Sequence, residues 1–215
     1  MLLRLNQVVF GLGRGVLGAS SNRMGVWTQG CSLRKCPGCS STHTWSPDGG
    51  KTVSVESLLR LARSQALAPS GLTVSGGEPT DQAEGITALI AGFRETFPGT
   101  EAVLYTALHW PVLAKRFPAL VARLDVAVTG PFVRTLEATP LTGSSNQVVH
   151  LLTPLAEQLY YDWQDWSRHA MQVGYAKAEQ LVTVGIPHTP RMARAALQVG
   201  AIDVTWDRIN EEKHA

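Results

Sequence analysis

Apolar and polar positions alternate across residues 2–10, LLRLNQVVF, which predicts an opening strand, and Met24 to Thr28 predict a second short one. After Ser54, a residue suited to cap a helix, Leu58, Leu59, Ala62 and Ala66 recur at helical spacing until Pro69. A short apolar run, Gly71 to Val74, predicts a strand that leads into Ser75-Gly76-Gly77-Glu78-Pro79. Asp81 and Glu84 stand at capping-box spacing and open a helix through Ile86, Leu89, Ile90 and Phe93, closed by Pro98-Gly99. The rhythm continues with a strand at Ala102 to Tyr105, a helical stretch over about 111–122 and a strand at Asp125 to Val128.

Strands alternating with helices at this spacing predict an α/β fold on a parallel sheet, open or partly closed into a barrel. In such sheets ligands collect at the carboxyl ends of the strands. The loop after Thr28, the Gly-Gly-Glu-Pro turn, Tyr105-Thr106 and Thr129-Gly130 all follow strand ends and are expected to meet on one edge. Past Leu152 the texture changes: Tyr160, Tyr161, Trp163 and Trp166 crowd together in a segment that reads as a helix. A strand at Leu181 to Val184, a helix at about Thr189 to Val199, a strand at Ala201 to Trp206 and a frayed tail from Glu211 are expected after it. The chain accordingly divides into a core, 1–152, and a C-terminal extension, 153–215, packed on that core.

Composition narrows the function classes. The chain has 215 residues, 44% hydrophobic and 17% charged, enough to bury a core without disulfide staples and too apolar for disorder. A formal net charge of +2, with the basic residues dispersed, gives no field that selects nucleic acid or a membrane surface. Arg4, Asn6 and Gln7 interrupt the N-terminal apolar run, so no signal peptide is expected, and no apolar stretch reaches the roughly 18 residues of a membrane span. A cytoplasmic protein with reduced thiols is the expectation.

All three cysteines fall within nine residues, as Cys31-Ser-Leu-Arg-Lys-Cys36-Pro-Gly-Cys39. Thiolates are soft ligands for zinc or iron–sulfur clusters, and Pro37-Gly38 favours the tight turn that brings two sulfurs to one centre. Two readings stand level on the cysteines alone. His43 could complete a tetrahedral Cys3His zinc site, making the chain a metal-stabilised binding module. Alternatively the three thiolates hold a [4Fe-4S] cluster with one iron left open.

Gly76 and Gly77 let backbone approach a ligand closely, and Glu78 beside them can receive an ammonium group. Gly13-Arg-Gly15-Val-Leu-Gly18 matches the dinucleotide pattern G-x-G-x-x-G, but a strand follows it in place of a helix, so it reads as a hairpin or lid. His150, between apolar neighbours, reads as a satisfied, partly buried histidine. Trp27, Trp45 and Trp110 read as packing residues around the sheet or the site.

Together the segments Thr28-Gln-Gly-Cys31, Cys36-Pro-Gly-Cys39, Ser75-Gly-Gly-Glu-Pro79, Tyr105-Thr106, Asp125-Val-Ala-Val-Thr-Gly-Pro-Phe132 and Gly143-Ser-Ser-Asn-Gln-Val-Val-His150 resemble the radical S-adenosylmethionine superfamily. Within it they resemble the activases of glycyl radical enzymes, of the anaerobic ribonucleoside-triphosphate reductase activating type. The resemblance implies a partial (β/α) barrel, with Cys31, Cys36 and Cys39 holding a [4Fe-4S] cluster. Gly76, Gly77 and Glu78 would lie at the amino end of S-adenosyl-L-methionine, Tyr105 and Thr106 near its nucleoside or the cluster, and Ser144 and Asn146 at a later strand edge beside it. It implies reductive cleavage of that cofactor to a 5'-deoxyadenosyl radical. A large glycyl radical enzyme would be the hydrogen donor, and a flavodoxin or ferredoxin the electron source. Cys39-Ser-Ser-Thr-His-Thr-Trp45 also resembles 7-carboxy-7-deazaguanine synthases, which use the same chemistry on a small pterin. The chain departs from the superfamily's C-x3-C-x2-C by one residue between Cys31 and Cys36, and has Thr129 where many relatives carry Asp.

Overall fold

The computed structural model describes residues 1–167, 171–177 and 180–186. In chain order the strands are β1 (Leu2–Leu12), β2 (Arg23–Thr28), β3 (Lys51–Ser54), β4 (Gly71–Gly76), β5 (Glu101–Thr106), β6 (Val126–Thr129), β7 (Val148–Leu151), β8 (Gln172–Lys177) and β9 (Gln180–Val184). The helices are α1 (Val55–Arg63), α2 (Ala83–Thr96), α3 (Trp110–Arg116), α4 (Pro118–Val121) and α5 (Pro154–Leu159). The strands form one mixed sheet in the order β7-β6-β5-β4-β2-β1-β8-β9, with β3 also paired to β1.

Only β2, β4, β5 and β6 are mutually parallel. β1 runs antiparallel to β2, β3 and β8, and β7 runs antiparallel to β6. The parallel strands are buried on both faces, which is why they read as continuous apolar runs. In β5, Ala102 and Leu104 pack into one core with Leu58 of α1 and Leu89 and Phe93 of α2, while Val103 packs into a second with Val126, Val128, Ala156 and Tyr160. A third cluster joins Val9, Leu12 and Leu17 to Val182 and Val184 of β9.

A polar tie runs through this apolar interior. Arg23 and Glu101, both without exposed side-chain surface, form an ion pair, and Arg23 also donates to the Thr73 hydroxyl at 2.9 Å. Glu101 further accepts from the Ser20 hydroxyl at 2.6 Å and from the Tyr160 hydroxyl. Such a buried pair depends on the further hydrogen bonds its charges collect, although Arg23 Nε has no partner among the described residues.

Several local expectations need correcting. α1 starts at the expected cap, with Ser54 Oγ accepting from Ser57 N at 3.0 Å. It stops at Arg63 instead of reaching Pro69, and the Asn22 amide donates to the carbonyls of Leu67 and Ala68 at 3.0 and 2.9 Å. Asp81 does not cap α2: its carboxylate receives Ser32 N at 2.7 Å and Ser32 Oγ at 2.6 Å, and a 3-10 turn, Pro79–Gln82, precedes the helix. The stretch over 111–122 is two helices, split where Pro118 lacks an N–H. The aromatic crowd is not one helix: α5 ends at Leu159, Tyr160 turns inward to Glu101, and Trp163–Asp165 form a 3-10 turn. The helix and strand expected at 189–199 and 201–206, and the tail from 211, lie outside the described residues. No described helix is long and apolar enough to cross a membrane.

Candidate functional site

Parallel pairing puts the carboxyl ends of β2, β4, β5 and β6 on one edge, and the segments leaving them close around a cavity of about 550 Å3, the size of a small-molecule site. Cys31, Cys36 and Cys39 line it with Gly76, Gly77, Tyr105, Thr106 and Gly130. Trp27 and Trp45 line it as well, whereas Trp110 stacks on His150 with ring centroids 4.4 Å apart.

The cysteine loop is held from both sides. Gly30 N donates to Thr44 O at 2.8 Å and Cys31 N to Trp45 O at 3.3 Å, which fixes its entry and exit, and Cys39 N closes the Cys36–Cys39 turn on Cys36 O at 3.2 Å. The four-residue spacer turns at Arg34, which takes the left-handed conformation at φ +41°. That turn aims Arg34 N at Cys31 Sγ, 3.4 Å away, and the Arg34 side chain donates to Cys31 O at 3.1 Å and Trp45 O at 3.2 Å. The extra residue relative to C-x3-C is thus absorbed as a turn within the spacer.

The thiols are half-buried and form no disulfide. Burial pushes the Cys31 and Cys36 thiols up, opposed at Cys31 by the N–H groups of Arg34 and Leu33 and at Cys36 by that of Phe132. Ser41 N reaches Cys39 Sγ at 3.4 Å. Among the described residues, no three or more His, Cys, Asp or Glu side chains converge on a point that a single metal ion could fill. A tetrahedral zinc would need its sulfurs roughly 3.8 Å apart, from Zn–S bonds of about 2.3 Å. The three thiols share one cavity wall, a soft donor set that suits an iron–sulfur cluster. The N–H groups trained on the sulfurs are of the kind that tune cluster potentials.

The Gly-Gly turn is stitched to this loop. Gly77 N donates to Thr28 O and Glu78 N to Gly30 O, each at 2.9 Å. A Cβ on Gly77 would sit 1.9 Å from the Gly30 carbonyl oxygen, and Gly76 has φ +110° with its Cβ position 2.3 Å from Thr28 N, so neither position accepts a side chain. Backbone therefore faces the cavity here.

Glu78 is 1% exposed and its carboxylate is committed behind the cavity wall. It accepts from Thr106 Oγ1 at 2.7 Å, from Thr80 Oγ1 at 2.7 Å and N at 3.1 Å, and from Ala107 N at 3.0 Å. Burial raises its carboxyl above the ordinary range, and these four donors pull the other way. Tyr105 lines the cavity and donates to Leu141 O at 2.8 Å; burial keeps its phenol neutral. Ser144 is fully buried, accepting from Val133 N at 3.1 Å. Asn146 donates to Pro131 O at 2.7 Å, while its buried Oδ1 has no partner among the described residues. His43 and its backbone neighbours belong to the same wall as the cysteines.

Phe132 after β6 and Gln147 before β7, both within the quoted motifs, also form the wall, joined by residues to which the sequence had given no site role: Arg134, and 182–186 at and after the end of β9. Gln147 bridges Gly143 N at 2.9 Å and Gly130 O at 3.0 Å. The Gly13–Gly18 segment joins the antiparallel strands β1 and β2, which is not the strand-to-helix setting of a dinucleotide site.

Comparison with known proteins adds two findings. A family model described as 4Fe-4S single cluster domain matches residues 13–150. A 7-carboxy-7-deazaguanine synthase of Hyperthermus butylicus is 39% identical over 66 residues, which is 30% of this chain and 26% of that protein. The chain thus matches about a quarter of that relative's length.

Proposed function

The chain belongs to the 4Fe-4S single cluster domain family and is an iron–sulfur protein of the radical S-adenosylmethionine type, and from that premise we propose that it reductively cleaves S-adenosyl-L-methionine to generate a hydrogen-abstracting radical. The observation that carries the reading is that three unpaired thiols and the bare backbone of Gly76-Gly77 line one cavity. Cys31, Cys36 and Cys39 would hold the cluster, and the incomplete ligand set leaves one iron for the cofactor. When bound, the cluster supplies the electron that splits the sulfonium bond into methionine and a 5'-deoxyadenosyl radical.

The protein's part is positioning and exclusion of water. Glu78 fixes the end of β5 against that of β4, so Thr106 and Ala107 keep their place in the wall. Gly76 and Gly77 offer backbone groups to the cofactor's amino acid end. Tyr105, neutral and bound to Leu141 O, closes the wall without contributing charge. A partly closed barrel, with the site at its carboxyl edge, belongs to this reading.

For the hydrogen donor, the ordered motifs through Gly143–His150 favour a glycine of a large glycyl radical enzyme, with a flavodoxin or ferredoxin supplying the electron. The partial identity to a 7-carboxy-7-deazaguanine synthase supports a small-molecule donor equally well. Anaerobic reconstitution with iron and sulfide, followed by dithionite and S-adenosyl-L-methionine, is expected to release 5'-deoxyadenosine. A reconstituted chain that binds iron and releases none overturns the proposal. Incubation with each class of donor, read as a glycyl radical signal or as conversion of the small molecule, then separates the two.

A further inference from the structure

The segment Gly13–Gly18 is held very differently at its two ends. Downstream the anchor is buried. Leu17 O accepts from Thr73 Oγ1 at 2.8 Å, Ala19 N donates to Tyr160 Oη at 3.0 Å, and Ser20 N donates to Glu101 at 2.8 Å. Gly18, at φ +153°, has the Arg23 guanidinium 2.3 Å from its Cβ position. The tip, Gly13–Val16, keeps two inner contacts, Gly15 N donating to Gly18 O at 2.9 Å and the Tyr105 hydroxyl to Val16 O at 3.4 Å, and is otherwise held from outside. The Arg14 guanidinium pairs with Asp162 and lies 4.6 Å above the Trp166 ring, and Trp166 Nε1 donates to the same Asp162 oxygen at 2.9 Å. Gln172 Nε2 donates to Arg14 O at 2.6 Å. The side chains of Arg14 and Asp162 are 47% and 31% exposed, against 0% for both Arg23 and Glu101. Gly15, at φ +112°, has nothing within 4 Å of its Cβ position.

Gly15 and Val16 are part of the cavity wall, next to Val182 and Val184 of β9. Movement of the loosely latched tip would therefore widen the way into this cavity of about 550 Å3.

We propose that Gly13–Val16 is a gate to the cavity, hinged at Leu17-Gly18, and that Arg14 is the positioning residue whose pairing with Asp162 and Trp166 holds it closed. Which molecules the gate admits rests on the radical S-adenosylmethionine reading; its existence does not. The exposed ion pair and the cation–π contact of the Arg14 side chain favour the closed state by roughly tenfold, which suits a gate that opens on each turnover.

Hydrogen exchange on the full chain tests this directly. Arg14→Ala is expected to raise exchange at residues 13–16 by about tenfold while leaving β2 and the melting temperature nearly unchanged. The charge exchange Arg14→Asp with Asp162→Arg is expected to restore protection. In reconstituted protein, Arg14→Ala is expected to speed dissociation of S-adenosyl-L-methionine several-fold. Unchanged exchange at the tip overturns the gate. Exchange that spreads through β2 with a fall in melting temperature overturns it too, since Arg14 would then be a general structural contact. Protection that the charge exchange does not restore removes Arg14–Asp162 as the latch. If no 5'-deoxyadenosine forms but tip exchange responds as expected, the functional reading fails and the gate stands.

Discussion

Glu78 Oε1 accepts the Thr106 hydroxyl at 2.7 Å, both side chains being buried, so the turn after β4 is joined to the last residue of β5 beyond the point where the backbone ladder between the strands has ended. Glu78→Gln keeps one acceptor oxygen but turns an amide NH2 toward a backbone donor, either Ala107 N or Thr80 N. Leaving a buried donor unmatched costs about 1–3 kcal/mol. Urea unfolding is the measurement, and Thr106→Val is expected to lose part of the same energy. A double variant no worse than Glu78→Gln alone would identify the two losses as one interaction.

Replacing all three cysteines by alanine is expected to abolish iron binding after reconstitution, from about four irons per chain to background. His43→Ala is expected to leave the iron content unchanged. Iron and acid-labile sulfide analysis, with zinc measured alongside, checks both. About one zinc per chain, lost with His43, would restore the binding-module reading.

Gly77→Ala drives a methyl into the Gly30 carbonyl, which sits on the same loop as Cys31. The two segments are expected to separate, so S-adenosyl-L-methionine affinity should fall by tenfold or more while the far side of the sheet keeps its stability. Equilibrium binding to reconstituted protein reads the first effect, and thermal melting the second.

Removing one partner of the Arg23–Glu101 pair strands a buried charge. Glu101→Gln is expected to cost about 3–5 kcal/mol, whereas Arg23→Met combined with Glu101→Leu is expected to recover much of that loss. Denaturant midpoints at constant m-value distinguish the two outcomes.

His150 stacks on Trp110 and bonds Thr129 Oγ1 through Nε2 at 3.0 Å, and burial holds its pKa below the ordinary histidine value. The folded state therefore favours the neutral ring. Its contribution to stability is present above the unfolded pKa of about 6.5 and is lost as pH falls through the folded value. His150→Gln is expected to show a shallower loss of stability than the wild type between about pH 8 and pH 5. Urea titrations at several pH values make the comparison.

The sequence by itself determined the parts whose cause is local or repeats at short range. Alternation marked β1, and apolar runs marked β2, β4, β5, β6 and β9, within a few residues, because a strand buried on one face repeats every second residue and the parallel strands, buried on both, need apolar side chains nearly throughout. The Cys31–Cys39 spacing and the Gly-Gly turn named the chemistry, because ligand type and freedom from Cβ are properties of single residues. Tertiary structure decided which neighbour each polar group took. Asp81 went to Ser32 and not to its own helix, and Asn22 bonded carbonyls 45 and 46 residues away. Glu78 turned from the cavity to Thr106, and β9 and the Gly13–Val16 tip entered the wall. Each of these depends on partners far apart in the chain, whose meeting no local pattern encodes, since a hydrogen-bonding side chain is satisfied equally well by any donor that folding brings within 3 Å.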